Sequence, residues 1–289
     1  KRIIDKSYVL SALKAQSDFA VLTNGEHEGK RGVNRLIEKS LGKSRGECSY
    51  LPGLAAGGVE YQNQAGEISC PGVSKRELEF LKIIPEIMKQ KLIDNLKSMS
   101  NDLGDFNYNK EAESAILINR FSPTINLNSI FDTVGQNITL IRKIQTMLGT
   151  MMEEMLDIAS AKGLENSFYL HIAPNLGIVK GKEIMRLATK DNIGTTDIQF
   201  MLKGARKEAG LLVLLNKYIK DKQGHSPFGE GFNVRVAPES TSDLRDMCLD
   251  NIKRKDMPLI IGVGDTVTSV KDIETGEYCR GGSDRGFLT

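Results

Sequence analysis

The sequence predicts an α/β protein, a parallel-sheet core with a second α/β module inserted into it. Short apolar runs at Phe19–Leu22 and Pro258–Val263 stop abruptly at polar residues, as buried parallel strands do where they deliver a loop. Stretches of helical period separate these runs, the alternation of a wound α/β sheet. Two long helical patterns lie between the first run and a third strand candidate at Phe168–Ile172, enough apolar surface to need a core of their own.

The first strand, Phe19-Ala20-Val21-Leu22, ends in Thr23-Asn24-Gly25. From Ser74 to Met99, Leu78, Leu81, Ile84, Met88, Leu92 and Leu96 recur at helical spacing. Ser74 followed by Glu77 has the form of a capping box, and Pro85 is expected to kink or split the helix. Ser114–Asn119 reads as a strand before a turn at Ser122-Pro123. A second helical pattern runs from about Ile130 to Ile158 through Ile138, Ile141, Met147, Met151 and Met155, a stripe suited to adaptable core packing. These elements put the inserted module at residues 61–167. The core then takes residues 1–60 and 168–289. Within the latter, 191–255 holds a helix at Ala205–Lys220 and a Gly/Pro-rich stretch at Gln223–Pro238, with no assigned place in the sheet.

Composition narrows the function. With 289 residues, 40% of them hydrophobic and 26% charged, the chain is large enough for two packed domains and is neither fibrous nor disordered. Lys and Arg number 39 against 37 Asp and Glu, so no overall field draws the protein to nucleic acid or to an anionic membrane. Any anion must be met locally. No apolar run approaches the about 18 residues that span a bilayer, and the start carries no signal-like stretch, so a cytoplasmic protein is expected. Cys48, Cys70, Cys248 and Cys279 lie far apart without a Cys-x-x-Cys pair, which fits reduced thiols.

Three clusters carry candidate chemistry. Thr23-Asn24-Gly25 offers a hydroxyl, an amide and approachable backbone N–H groups to an anion such as phosphate, although Asn-Gly also makes tight turns. Lys180, in Ile178-Val179-Lys180-Gly181, precedes a helix-like pattern through Glu183, Ile184, Leu187 and Ala188; an ammonium at a helix start suits phosphate. Asp265 follows the Pro258–Val263 strand and is placed either to hold a hard cation such as Mg²⁺ or to cap a helix. Asp284, in a pliable Gly-rich loop, either reinforces that metal site or pairs with Arg285. His27 lies just past the first cluster, within reach of a substrate hydroxyl, whereas His171 reads as a core histidine of its strand.

The order Thr23, Lys180, Asp265 resembles the second, third and fourth motifs of the haloacid dehalogenase-like phosphatases, and the inserted module resembles their C2-type cap. Gly53-Leu54-Ala55-Ala56-Gly57-Gly58-Val59-Glu60 is similar to the segment that leads into the cap of trehalose-phosphate phosphatases. The runs Val263–Ser269, Arg280–Phe287, Leu22–His27 and His171–Glu183 resemble the glucosylglycerol 3-phosphate phosphatases of salt-tolerant bacteria. The resemblance covers nearly the whole chain. It implies a Rossmann-like core and a Mg²⁺-dependent phosphomonoesterase acting on a small sugar phosphate, with glucosylglycerol, a compatible solute, as product. Thr23 and Lys180 would then neutralise the transferring phosphoryl group and Asp265 and Asp284 would hold the metal. Phosphatases of sucrose, trehalose or other glycosyl phosphates, and a non-catalytic phosphosugar binder, are the alternatives. The family attacks phosphate with the first aspartate of an Asp-x-Asp motif, and none precedes Thr23 here; Asp5 has no partner aspartate. The first core strand is therefore expected upstream of this chain, which by itself should be inactive and poorly stable.

Overall fold

The computed structural model describes residues 6–15, 18–30, 32–42, 50–135, 137–179, 182–264, 268–271 and 278–281. The fold is mixed α/β, in two compact units: Lys1–Val73 with Gly204–Thr289, and Ser74–Lys203. The sequence placed an inserted module at 61–167 and gave 168–289 to the core; the second unit instead runs from Ser74 to Lys203.

The first unit opens with α1 (Lys6–Lys14), β1 (Val21–Leu22) and α2 (Val33–Leu41), followed by β2 (Gly53–Ala55), a 3-10 turn (Ala56–Gly58), β3 (Glu60–Gln62) and β4 (Ile68–Ser69). The strands make one sheet in the order β1-β2-β3-β4. β1 and β2 are parallel, Val21 opposite Gly53 and Leu22 opposite Leu54, while the other two pairings are antiparallel. Burial accounts for the two helices: Val9, Ile37, Leu41 and Leu51 form one apolar cluster against which Val21 and Val33 pack.

The second unit contains α3 (Lys75–Ser98), α4 (Ser100–Leu103), α5 (Tyr108–Ala115), β5 (Ile116–Leu117), β6 (Thr124–Asn126), α6 (Asn128–Val134), α7 (Ile138–Ala161), β7 (Phe168–Ala173), β8 (Asn175–Val179), β9 (Lys182–Met185) and β10 (Asp197–Leu202). Its main sheet has the order β5-β6-β10-β7 and is antiparallel throughout; β8 and β9 form a separate hairpin. The capping box is present: Glu77 N donates to Ser74 Oγ (3.2 Å) and Ser74 N donates to Glu77 Oε2 (2.7 Å). One helix runs through Pro85. The proline forfeits one backbone bond, and the stripe buried on both sides of it, Leu81, Ile84, Met88 and Leu92, all at most 2% exposed, outweighs that loss. The second helical pattern divides at Gly135 into α6 and α7, and Met151, Met152 and Met155 are buried core. Phe80 of α3 meets Phe168 and Phe200 at ring-centroid distances of 5.4 and 6.0 Å, so the helices cover the sheet face that carries Ile198, Phe200 and Leu202.

Phe168–Ala173 is a strand, but antiparallel rather than parallel and inside the second unit. Its partner β10 is an element the sequence left unassigned; its alternating Ile198, Phe200 and Leu202 are each 0% exposed. Ser114 and Ala115 close α5 and leave a strand of only two residues at Ile116–Leu117.

The chain then returns to the first unit as α8 (Lys207–Gln223), close to the expected helix, α9 (Thr241–Asn251) and a hairpin of β11 (Thr268–Lys271) and β12 (Tyr278–Gly281). α8 crosses the sheet tightly: a Cβ on Gly210 would lie 2.8 Å from Leu22 Cδ1, and Lys217 Nζ sits 4.0 Å from the Tyr61 ring centroid. The expected strand at Pro258–Val263 is not one. Residues 258–264 form no strand, and Leu259, Ile261 and Val263 are 91%, 82% and 90% exposed. An apolar run becomes a buried strand only with a neighbour to pair with, and among the described residues β1, the nearest kind of partner, ends its sheet. No helix among the described residues is long and apolar enough to cross a membrane.

Candidate functional site

In the first unit, the end of β1 and the start of the 3-10 turn are built as one object. Thr23 N extends the parallel ladder by donating to Leu54 O (3.0 Å), and Thr23 O accepts from Gly57 N (3.1 Å). Gly25 O accepts from Ala56 N at 2.6 Å. Within the loop, Gly25 N donates to Thr23 Oγ1 (3.0 Å). That bond occupies a lone pair of the hydroxyl and leaves its proton to point at an acceptor such as a phosphoryl oxygen. Thr23 and Asn24 are half-buried and Gly25 is exposed, so the loop is open to a ligand yet fixed from behind.

Two glycines make this possible. Gly53 has φ 146°, and a Cβ there would lie 2.1 Å from Val21 O. Gly57, at φ 67°, brings its backbone against Ala205, whose carbonyl oxygen would be 2.9 Å from an added Cβ. The residue that bonds Thr23 therefore also touches the segment entering α8.

Behind the loop lies a polar cluster that sequence reading did not anticipate. His27, expected near a substrate hydroxyl, is 0% exposed. Its backbone N donates to Glu60 Oε1 (2.8 Å), and its Nε2 lies 3.3 Å from Gly53 O. A carbonyl can only accept, so Nε2 carries the proton and Nδ1 is a buried acceptor without a partner among the described residues. Burial lowers the imidazole's pKa, against the opposing pull of the Gly53 carbonyl and Glu28, and keeps the ring neutral. Asn34 and Gln62 exchange amide hydrogen bonds of 2.7 and 3.1 Å; Asn34 Nδ2 also donates to Glu28 Oε1 (3.0 Å), and Gln62 Nε2 to Leu51 O (2.9 Å). The sequence signal was the alternation of Glu60 and Gln62 about Tyr61, which sends two polar side chains to the inner face of β3.

The first unit also holds a buried cation. Lys207, first residue of α8, is only 9% exposed, rare for a lysine. It stands two residues beyond Ala205, on the segment packed against Gly57. The available signal was position, a lysine opening the helix that follows a buried strand; the sequence reading spent that argument on Lys180. The pattern after Lys180 is strand β9 rather than a helix, since Glu183 pairs with Ile178 and Lys182 with Val179. Lys180 itself, Asp265 and Asp284 lie outside the described residues. The strands flanking Lys180 belong to the second unit, Thr23–Gly25 and Lys207 to the first. Among the described residues no group of three His, Cys, Asp or Glu side chains could hold a metal ion.

The whole chain, residues 1–289, matches the family model described as glucosylglycerol-phosphate phosphatase. It is similar to the curated glucosylglycerol-phosphate phosphatase of Synechocystis sp., 45% identical over 295 aligned positions that cover 99% of this chain and 69% of that relative. No solved structure matches it.

Proposed function

Because the chain belongs to the glucosylglycerol-phosphate phosphatase family, we propose that it removes phosphate from glucosylglycerol phosphate to leave the compatible solute glucosylglycerol, a hydrolase reaction tied to salt tolerance. The observation that carries this reading is a likeness that runs the length of the chain. The Thr23–Gly25 loop supports it, with a half-buried hydroxyl whose proton the Gly25 bond leaves unused and its backbone tied to the 3-10 turn.

Thr23, with Asn24 and Gly25, would grip the phosphoryl oxygens. A lysine would offset their charge. Lys180 is the candidate from sequence and Lys207 the candidate from structure, and Lys207 is favoured because it is buried in the unit that holds Thr23. The resemblance implies attack on phosphorus by an aspartate, protonation of the departing sugar oxygen by a second aspartate and later hydrolysis of the aspartyl-phosphate; no Asp-x-Asp precedes Thr23 among residues 1–289, and no residue here is given either role. A Mg²⁺ ion held by Asp265 and Asp284 rests on the sequence resemblance alone; the described residues do not form its site. Cytoplasmic residence is proposed on the free thiols Cys70 and Cys248.

Phosphate release from glucosylglycerol phosphate tests the reading. In an active form of the enzyme, Lys207→Ala is expected to lower kcat by about 100-fold or more, the scale of losing one preorganised charge stabiliser, and Lys180→Ala to lower it far less. The reverse order returns the role to Lys180. Residues 1–289 alone are expected to release no phosphate, and turnover by them would place the nucleophile within this chain.

A further inference from the structure

The Gly/Pro-rich stretch that the sequence leaves without a place in the sheet bears on the phosphoryl-binding groups from behind. Residues 228–238 form a strap tied to α8 at both ends. Near its start, the buried Asn216 of α8 donates from Nδ2 to Gly229 O (2.9 Å) and accepts from Phe228 N (2.8 Å). At its end, Pro238 O accepts from Nη2 of Arg206 (3.1 Å), the residue before Lys207. Between the ties the strap turns at Asn233, whose Oδ1 accepts from Arg235 N (2.9 Å) and whose carbonyl accepts from Val236 N (3.2 Å). The turn sends one side chain inward: Val234 is 1% exposed, whereas Val236 is 64% exposed.

Val234 touches both sides of the site. A Cβ on Gly58 would lie 2.7 Å from Val234 Cγ1, and one on Gly204 would lie 2.4 Å from Val234 O. Gly58 follows Gly57, whose N donates to Thr23 O, so one side of Val234 bears on the turn that holds the Thr23 loop. Gly204 O accepts from Arg206 N (2.8 Å), so the other side bears on the bend that leads into Lys207. Turn and helix also meet directly, since a Cβ on Gly58 would be 3.4 Å from Gly210 Cα. Two glycines facing each other supply no side chain to set their separation. A β-branched valine, stiff at χ1, supplies it. All of these residues belong to the first unit.

We propose that Val234 is a positioning residue for phosphoryl transfer: wedged against Gly58 and Gly204 at once, it fixes the separation of the Thr23 loop and Lys207. The proposal rests on the phosphatase reading above, with Lys207 as the charge stabiliser. A close-packed interior passes a displacement on rather than absorbing it, so a smaller side chain at 234 lets the two groups shift relative to each other.

The test is phosphate release from glucosylglycerol phosphate by an active form of the enzyme carrying Val234→Ala, Lys207→Ala or both, assayed below each variant's melting temperature. Val234→Ala is expected to lower kcat about tenfold with KM nearly unchanged, because a small misplacement is felt in the transition state. Added to Lys207→Ala it is expected to lower kcat no further, since Val234 acts through that lysine. Val234→Thr keeps the branched shape and is expected to restore kcat, although its buried hydroxyl lowers the melting temperature; a role in stability alone would not separate the two readouts. Wild-type kcat in folded Val234→Ala overturns the proposal, as does a tenfold loss that persists in the Lys207→Ala background. If Val234→Ala does not fold, Arg206→Met, which unties the strap from α8 outside the core, decides in its place: a kcat loss that vanishes beside Lys207→Ala supports the proposal and wild-type kcat overturns it. Either overturning result, obtained with Lys207→Ala impaired, leaves the phosphatase reading standing. Wild-type kcat in Lys207→Ala removes the lysine assignment and this proposal together, and a wild-type enzyme that releases no phosphate removes the phosphatase reading itself and this proposal with it.

Discussion

Two histidines, one in each unit, are both tied to a glutamate, and they sit in opposite circumstances. His27 in the first unit is 0% exposed, meets Glu60 through its backbone N–H rather than its ring, and holds Gly53 O with its one ring proton. His171 in the second unit is partly exposed and meets Glu183 through the ring itself. In the first case the glutamate secures a backbone bend and the imidazole is buried filling. In the second it orients an imidazole whose other nitrogen makes no hydrogen bond among the described residues. The same pair of residue types thus serves a rigid loop in one unit and an open face in the other, and the difference lies in which histidine atom the carboxylate engages.

The contrast extends to the glycines beside each cluster, where the largest effects are expected. Gly53→Ala would press a Cβ to 2.1 Å from Val21 O, a backbone clash that no side-chain movement relieves. A loss of at least about 4 kcal/mol is expected, enough to unfold the first unit. Gly177→Ala in β8 also places alanine at positive φ, 104°, but with nothing within 4 Å of the new Cβ. There only the backbone strain of about 1–2 kcal/mol is expected. Chemical denaturation of the two variants measures both, and equal losses would mean that the β1–β2 approach is looser than described.

Acid should separate the two histidine clusters next. His27 has a folded pKa below its ordinary 6.5 because burial penalises the cation. Below pH 6.5 the unfolded chain therefore binds more protons than the folded one, and stability falls as pH drops through that window. His27→Gln keeps a donor near Gly53 O without a titrating group and should flatten this decline, read from melting temperatures between pH 7 and 5. An unchanged slope would show that another group carries it.

Glu183 gives the smallest effect, at lower pH. Burial alone would raise its pKa from the ordinary 4.5, but the hydrogen bond and charge of His171, with Ile172 N and Asn175, outweigh burial and lower it. Its contribution is full above pH 4.5 and is lost as pH falls through the depressed folded value. Glu183→Gln is expected to be about 1 kcal/mol less stable at neutral pH and to converge on wild type in acid. A difference that persists in acid would assign the effect to packing rather than charge.

Much of the helical structure was legible because its signals are local. Ser74 and Glu77 cap α3 as their spacing requires, and the stripe from Leu81 to Leu96 buries one face. Thr23–Gly25 was legible for a similar reason, a polar triplet ending an apolar run. What failed was pairing. Phe168–Ala173 and Pro258–Val263 read alike, as buried strands. The first paired antiparallel with β10, a strand visible only as Ile198, Phe200 and Leu202 in alternation; the second found no strand partner among the described residues and lies exposed. Lys207 was missed because a lysine beginning a helix is ordinary in sequence, and only its 9% exposure sets it apart.

By itself the sequence determined α3 with its Ser74–Glu77 cap, most of α7 and α8, the polar triplet after β1 and the family likeness, because each depends on residues within a few positions or on the order of short motifs. The tertiary structure decided which strands pair, that His27 is buried while His171 is partly exposed and tied to Glu183 through its ring, and that Lys207 belongs with the Thr23 unit. Those outcomes depend on groups far apart in the chain competing for the same neighbours, and backbone hydrogen bonds and burial settle that competition only when the whole chain has folded.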